Sequence, residues 1–191
     1  MNNRPAAGTT PPARGAAAKG LTIVFTGDGK GKTTAALGCL LRTLGHGGRA
    51  ALIHFMKTAV TGEDKLLERL ATDVDVIFAG AGFYKIKGDR ATEEEHRKAA
   101  RDGLRQAERL LKAGGHRLII LDEINVAVST GLLSEQEVIE LIDMRPGDVD
   151  LILTGRNATD GIIAAAALVT EMKEVKHPFH AGQPPRKGID F

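Results

Sequence analysis

The sequence predicts an α/β fold: a mainly parallel six-stranded sheet with helices on both faces. Three observations point there. Short apolar runs and amphipathic helical patterns alternate from Leu21 onward, which is the pattern of a wound parallel sheet. A glycine-rich loop follows the first apolar run directly and opens a helix. The run Leu118-Ile119-Ile120-Leu121 is continuous and short, as in strands buried on both faces.

The elements read in order. Leu21–Phe25 is the first strand. Lys32–Leu44 is a helix stopped by Gly45 and Gly47-Gly48, since glycine readily ends helices. Arg49–Phe55 forms a second strand and Glu63–Leu70 a short helix. Val74–Ala79 makes a third strand, with a loop beginning Gly80-Ala81-Gly82. The clearest helix spans Thr92 to Ala113. Thr92 and Glu95 have capping-box spacing, and Ala100, Leu104, Ala107 and Leu111 recur on one face. After the fourth strand, Ser134 and Glu137 open another capped helix, with Val138, Leu141 and Ile142 inward, closed by Pro146-Gly147. Leu151–Leu153 is a fifth strand, Ile162–Ala167 a short helix and Leu168–Met172 a sixth strand. The remainder, with Pro178, Pro184 and Pro185, is irregular.

Residues 1–20 are mostly Ala, Gly, Pro and Thr with little to bury. They read as a disordered tail before a single domain over 21–191. Hydrophobic residues make up 42% of the 191 and charged residues 26%, as in ordinary globular chains. The tail holds Arg4, Arg14 and Lys19 without an acid, so a net charge of +2 leaves the domain at −1. That argues against a nucleic-acid surface. Cys39 is the single cysteine and suits a reducing cytoplasm; inside the first helix it reads as a small core residue. No run approaches the roughly 20 apolar residues of a membrane span, and the N-terminus lacks a signal-peptide pattern.

The chemistry concentrates in Thr26-Gly27-Asp28-Gly29-Lys30-Gly31-Lys32-Thr33-Thr34. Glycines let backbone N–H groups close on phosphate oxygens, and the helix that follows directs its positive end there. Thr26 stands where the usual pattern has its first glycine. Lys32 supplies a point charge for phosphate, Lys30 adds another, and Thr33 offers a hydroxyl to Mg²⁺ (or Mn²⁺). Asp122 and Glu123 end the fourth apolar run, the place of carboxylates that serve a nucleotide-bound metal. Glu123 could activate water or serve the metal shell. Arg156, after the fifth strand in Thr154-Gly155-Arg156, is a candidate phosphate ligand. Ligands of such folds bind beyond the carboxyl ends of the strands, so these groups share one rim. His177 and His180 have a weak metal spacing and read as loop histidines. His46, His54, His96 and His116 show no constellation.

Together these motifs resemble the ATP:corrinoid adenosyltransferases of the cobalamin pathway, also called cob(I)yrinic acid a,c-diamide adenosyltransferases. The resemblance runs from about Gly20 onward. It is carried by the phosphate loop with Phe25, Ala35 and Ala36, by Leu121-Asp122-Glu123-Ile124-Asn125, and by Arg145-Pro146-Gly147. Leu153-Thr154-Gly155-Arg156 and the ending Val175-Lys176-His177, Phe179, Ala181-Gly182 and Gly188-Ile189-Asp190-Phe191 complete it. The resemblance implies a RecA-like sheet, a homodimer, and transfer of the 5′-deoxyadenosyl group of ATP to Co(I), releasing triphosphate. It also implies ATP reversed in its loop and a flavoprotein reductase supplying Co(I). It places Phe83, with Tyr84 beside it, and Glu63 near the corrinoid. The family tryptophan two positions after Phe83 is Lys85 in this chain. The residues alone leave a second reading open, a phosphotransferase or ATPase that cleaves the γ-phosphate.

Overall fold

The computed structural model describes residues 19–58, 60–70, 73–82, 84 and 89–190. The expected tail therefore lies outside the described residues up to position 18, as do Phe83, Lys85 and Phe191. Gly20 is packed into the domain: its N–H donates to the Gly147 carbonyl at 2.6 Å.

Among the described residues, six strands form one sheet: β1 (Thr22–Thr26), β2 (Ala50–His54), β3 (Val74–Phe78), β4 (Leu118–Asp122), β5 (Asp150–Thr154) and β6 (Leu168–Glu171). Their order is β3-β2-β4-β5-β1-β6, and each pairing is parallel. β2 and β4 are buried along their whole length. Among the described residues, six α-helices connect and cover the strands: α1 (Lys32–Gly45), α2 (Gly62–Leu67), α3 (Glu93–Ala113), α4 (Ile124–Ser129), α5 (Glu135–Asp143) and α6 (Asp160–Ala165). Two cores result, one on each face. Ile119 and Leu121 of β4 face Leu104 of α3 and Leu141 of α5. Leu118 and Ile120 face Ala36 and Leu40 of α1. Burying large aliphatic side chains on both faces stabilises each by roughly 1.5–3 kcal/mol.

Boundaries moved where capping chemistry or side-chain contacts decide them. α3 starts at Glu93 because Thr92 caps it, its Oγ accepting from the Glu95 N–H at 3.2 Å. Glu63–Leu70 divides into α2 and a 3-10 turn at Glu68–Leu70. α6 begins two residues before the expected Ile162, and Gly161 is held by its N–H to Glu135 Oε1 at 2.9 Å. α4 was not foreseen, its six residues being too few for a periodic signal. Pro178–Ala181 forms a short 3-10 turn. Cys39 is half-buried in α1, against the α1-side core.

Candidate active site

β1, β4 and β5 end together, and their ends build the site. The chain leaves β1 at Thr26, whose buried Oγ accepts from the Ala158 N–H at 3.2 Å. Thr26 thus joins β1 to the loop before α6, with its hydroxyl used structurally. Gly27 then turns at φ 92°, where a Cβ would stand 2.5 Å from the Met172 carbonyl oxygen, so only glycine fits. Gly29 donates its N–H to the same carbonyl at 2.7 Å. The phosphate loop is thereby strapped to the chain that leaves β6. Gly31, at φ 120°, is the residue before α1.

Lys32 is buried and folds back over the loop. Its Nζ donates to the carbonyls of Gly27 at 2.7 Å and Gly29 at 2.8 Å. Burial lowers its pKa, against the raising charge of Glu123; Arg156 lowers it further. Lys30 points elsewhere, forming an ion pair with Asp190 at 2.7 Å. Asp28 and Thr34 are exposed, and Thr34 lines the cavity described below.

The carboxylates are divided by environment. Asp122 closes β4, and its Oδ1 accepts from Thr33 Oγ1 and from Thr154 Oγ1, both at 2.8 Å. Its Oδ2 meets His54 Nδ1 at 2.9 Å. Burial works to raise its pKa, but the bonds and charge of His54 and the two threonines win and hold it low. Glu123 goes the other way: burial first, then the Asp122 charge, push it up to about 7. Its backbone is left-handed, φ 63°, an uncommon state for a non-glycine residue. The Thr154 hydroxyl holds it there, accepting the Glu123 N–H at 2.9 Å. Arg156 is exposed outside the cavity wall, and its charge lowers the pKa of both Lys32 and Glu123.

These groups open on a single cavity of about 1500 Å³. Ordinary small-molecule pockets hold about 300–1,000 Å³, so this one has room for two ligands. It is lined by Lys30 to Thr34 with Asp122 and Glu123, and by Lys57, Thr61, Glu63 and Leu66, with Met56, Leu37 and Ala81 supplying further apolar surface. Pro185, Gly188 and Ile189 also line it. Glu63 therefore stands in the cavity, with Oε1 accepting from Lys57 Nζ at 3.1 Å. Tyr84 turns away. Its hydroxyl donates to Glu93 Oε2 at 2.7 Å, and its ring lies against His96.

The donor set at Thr33 and Asp122 suits Mg²⁺. A hydroxyl and a carboxylate already meet at 2.8 Å, and Mg²⁺ is commonly bound by one or two carboxylates plus substrate phosphates. Among the described residues there is no cluster of three or more His, Cys, Asp or Glu able to hold a metal, so an all-protein cage is not what the site offers.

Histidines gave no constellation in the sequence, and here the structure differs. His54, fully buried, lies between Asp122 and Asp64. His96 pairs with Asp89 and His116 with Asp75, at 3.0 and 2.7 Å. His177 and His180 are loop residues as expected: His177 Nδ1 accepts from the Phe179 N–H, and His180 contacts Glu174. Lys57, Asp64 and Thr154 were also missed. For Lys57 and Thr154 the available signal was position, at or just past the carboxyl ends of β2 and β5; Asp64 lies in α2, ten residues beyond β2.

A family model described as ATP:corrinoid adenosyltransferase BtuR/CobO/CobP matches residues 18–191. The chain belongs to the ATP:corrinoid adenosyltransferase family. Corrinoid adenosyltransferases of Sinorhizobium sp. and Pseudomonas aeruginosa are 38% and 37% identical to it, covering 91% of this chain and 81% and 84% of theirs. That of Escherichia coli K12 is 36% identical, over 91% of this chain and 86% of its own. The fold of this adenosyltransferase is RecA-like. It superposes on a KaiC-like protein of Pyrococcus horikoshii (TM-score 0.53, 19% identity, 83% of this chain and 75% of that one). The flagellar accessory protein FlaH of Methanocaldococcus jannaschii matches similarly (TM-score 0.55, 11% identity, 83% and 73%). Among the described residues of the adenosyltransferase, no helix is long and apolar enough to cross a membrane.

Proposed function

We propose that this chain transfers the 5′-deoxyadenosyl group of ATP to the cobalt of a Co(I) corrinoid and releases triphosphate. The observation that carries the reading is the shared cavity: phosphate loop, carboxylates, and apolar and amphipathic side chains line one space with room for both substrates. Membership of the family supports the same chemistry.

The step balances without a general base. The Co(I) lone pair attacks the ribose C5′, the C5′–O bond breaks, and its electron pair leaves with the triphosphate while cobalt becomes Co(III). The protein's task is to hold C5′ against cobalt and to neutralise charge developing on the leaving group. Lys32 exchanges two backbone carbonyls for phosphate oxygens. Arg156 adds positive charge from just outside the cavity, the Thr34 hydroxyl adds a polar donor, and Lys30 joins them when Asp190 lets go. Thr33 and Asp122 hold Mg²⁺ (or Mn²⁺), which when bound supplies positive charge to the phosphates; Glu123 completes the polar wall. Glu63, Leu66 and Met56 bound the macrocycle. The resemblance supports two partners, a flavoprotein that reduces Co(II) and a second copy of this chain, and a cytoplasmic setting.

The test is product analysis. Reduced cobalamin or cobinamide with MgATP should give a light-sensitive Co–C bond and intact triphosphate. ADP and phosphate as the only products, whatever corrinoid is supplied, would overturn the reading in favour of γ-phosphate cleavage.

A further inference from the structure

Three ionisable side chains stand in line beside the phosphate loop, almost out of reach of solvent. His54 is 0% exposed, and Asp64 and Asp122 are each 4% exposed. The imidazole is stacked on Phe78, ring centres 5.2 Å apart, which fixes its plane. Its Nδ1 meets Asp122 Oδ2 at 2.9 Å and its Nε2 meets Asp64 Oδ1 at 3.0 Å. Beyond it, Asp64 Oδ2 accepts from Lys57 Nζ at 2.7 Å and from the Thr61 N–H at 2.8 Å. At the near end, Asp122 Oδ1 accepts from Thr33. An unbroken line of polar contacts thus runs from Thr33 beside the phosphate loop to Asp64, Lys57 and Thr61.

Stability does not account for such an array. Removing three ionisable groups from water costs several kcal/mol per ion, and well-packed hydrophobic residues of similar volume often serve a fold as well or better. What lies at its two ends does account for it. Oδ2 of Asp122 is occupied by His54, which leaves Oδ1 turned toward Thr33. Asp64 in turn gathers Lys57 and Thr61, both lining the same cavity as the phosphate loop.

We propose that His54 is a positioning residue that couples the two substrate sites: it ties the Asp122 carboxylate of the nucleotide wall to the Lys57–Asp64 segment of the corrinoid wall. The inference rests on the adenosyl-transfer reading. Because Asp122 and Asp64 are held by one rigid ring, fixing either carboxylate fixes the other. Binding of one substrate then pre-orders the wall that receives the second. Such coupling is reciprocal by linkage: each ligand must tighten the other by the same factor.

Calorimetry on the full chain tests this. MgATP is titrated with and without a saturating Co(II) corrinoid, cobalamin or cobinamide, whichever the transfer assay consumes. With no reductant present, no transfer follows. The wild type should bind MgATP about fivefold or more tightly with the corrinoid present, and the corrinoid should gain by the same factor. Asp64→Asn keeps the shape but removes the charge that gathers Lys57 and Thr61. It should bind MgATP alone within about twofold of wild type and reduce the coupling factor below about two. His54→Gln should also reduce the coupling factor below about two, with weaker MgATP binding because Asp122 loses its Oδ2 partner; if it does not fold, Asp64→Asn alone decides. A merely structural role would lower the melting temperature and leave the coupling factor intact. That result overturns the proposal, as does a wild type that transfers adenosyl yet binds the two ligands independently. If no corrinoid is adenosylated, the underlying functional reading fails, and the coupling falls with it.

Discussion

Lys32 shows how one side chain can be held ready by the loop it serves. Its ammonium is buried and satisfied by two carbonyls of that loop, so the charge is in place before any phosphate arrives. Lys32→Ala removes it and should lower turnover about 100-fold or more, as loss of a preorganised donor does; steady-state rates with saturating corrinoid measure it. Asp64 makes a separate prediction about acid. Burial raises its pKa, but the Lys57 ammonium, then Thr61, outweigh that and hold it at about 2 against an ordinary 3.8. A depressed carboxylate contributes stability above its unfolded pKa and loses it as pH falls toward the folded one. The advantage of wild type over Asp64→Asn should therefore be about 2 kcal/mol at pH 6 and about 1 kcal/mol smaller at pH 3. Urea unfolding at the two pH values checks this; an unchanged gap would refute it.

At the scale of the element, local chemistry accounts for most of what forms. α3 was legible end to end, because Thr92, Glu95 and the apolar spacing agree. Its cap is reciprocal: Glu95 Oε2 accepts from the Thr92 N–H at 2.7 Å. Thr92→Ala should cost about 1 kcal/mol and lower the melting temperature by about 2–4 °C. The Ser134–Glu137 box of α5 has the same geometry, so Ser134→Ala should cost a similar amount. Elements fixed by neighbours were less legible. α4 starts where Glu123 turns left-handed against Thr154, a contact across 31 positions. α6 starts near Glu135, from another helix.

For the whole molecule, the close approach of α3 to the sheet matters most. Gly103 faces inward, and a Cβ there would stand 2.6 Å from Ala79 and 3.0 Å from Phe55. Two effects compete in Gly103→Ala. Helix propensity favours alanine by about 1 kcal/mol, while overpacking costs about 1–3 kcal/mol. The contact is to Cβ and ring atoms with little freedom to move, so the second wins and the melting temperature should fall; a rise would show that α3 can lift away. The same approach buries Ile53 and Phe55 beneath α3, while His54 lies on the other face of β2, toward α2.

The amino-acid sequence by itself determined the alternation of strands and helices, the phosphate loop, the Asp122–Glu123 pair and the shared rim. Each is written in consecutive or periodic residues, and backbone geometry converts such patterns directly into structure. Tertiary structure alone decided the partners of His54. His54 and Asp122 are register mates on β2 and β4, and His54 and Phe78 on β2 and β3. Strand order and register are set by how the two cores pack, and no local pattern records them. For the same reason only the folded chain could turn Tyr84 toward Glu93, hand Lys30 to Asp190, and bring Lys57 and Glu63 into one cavity with the phosphate loop.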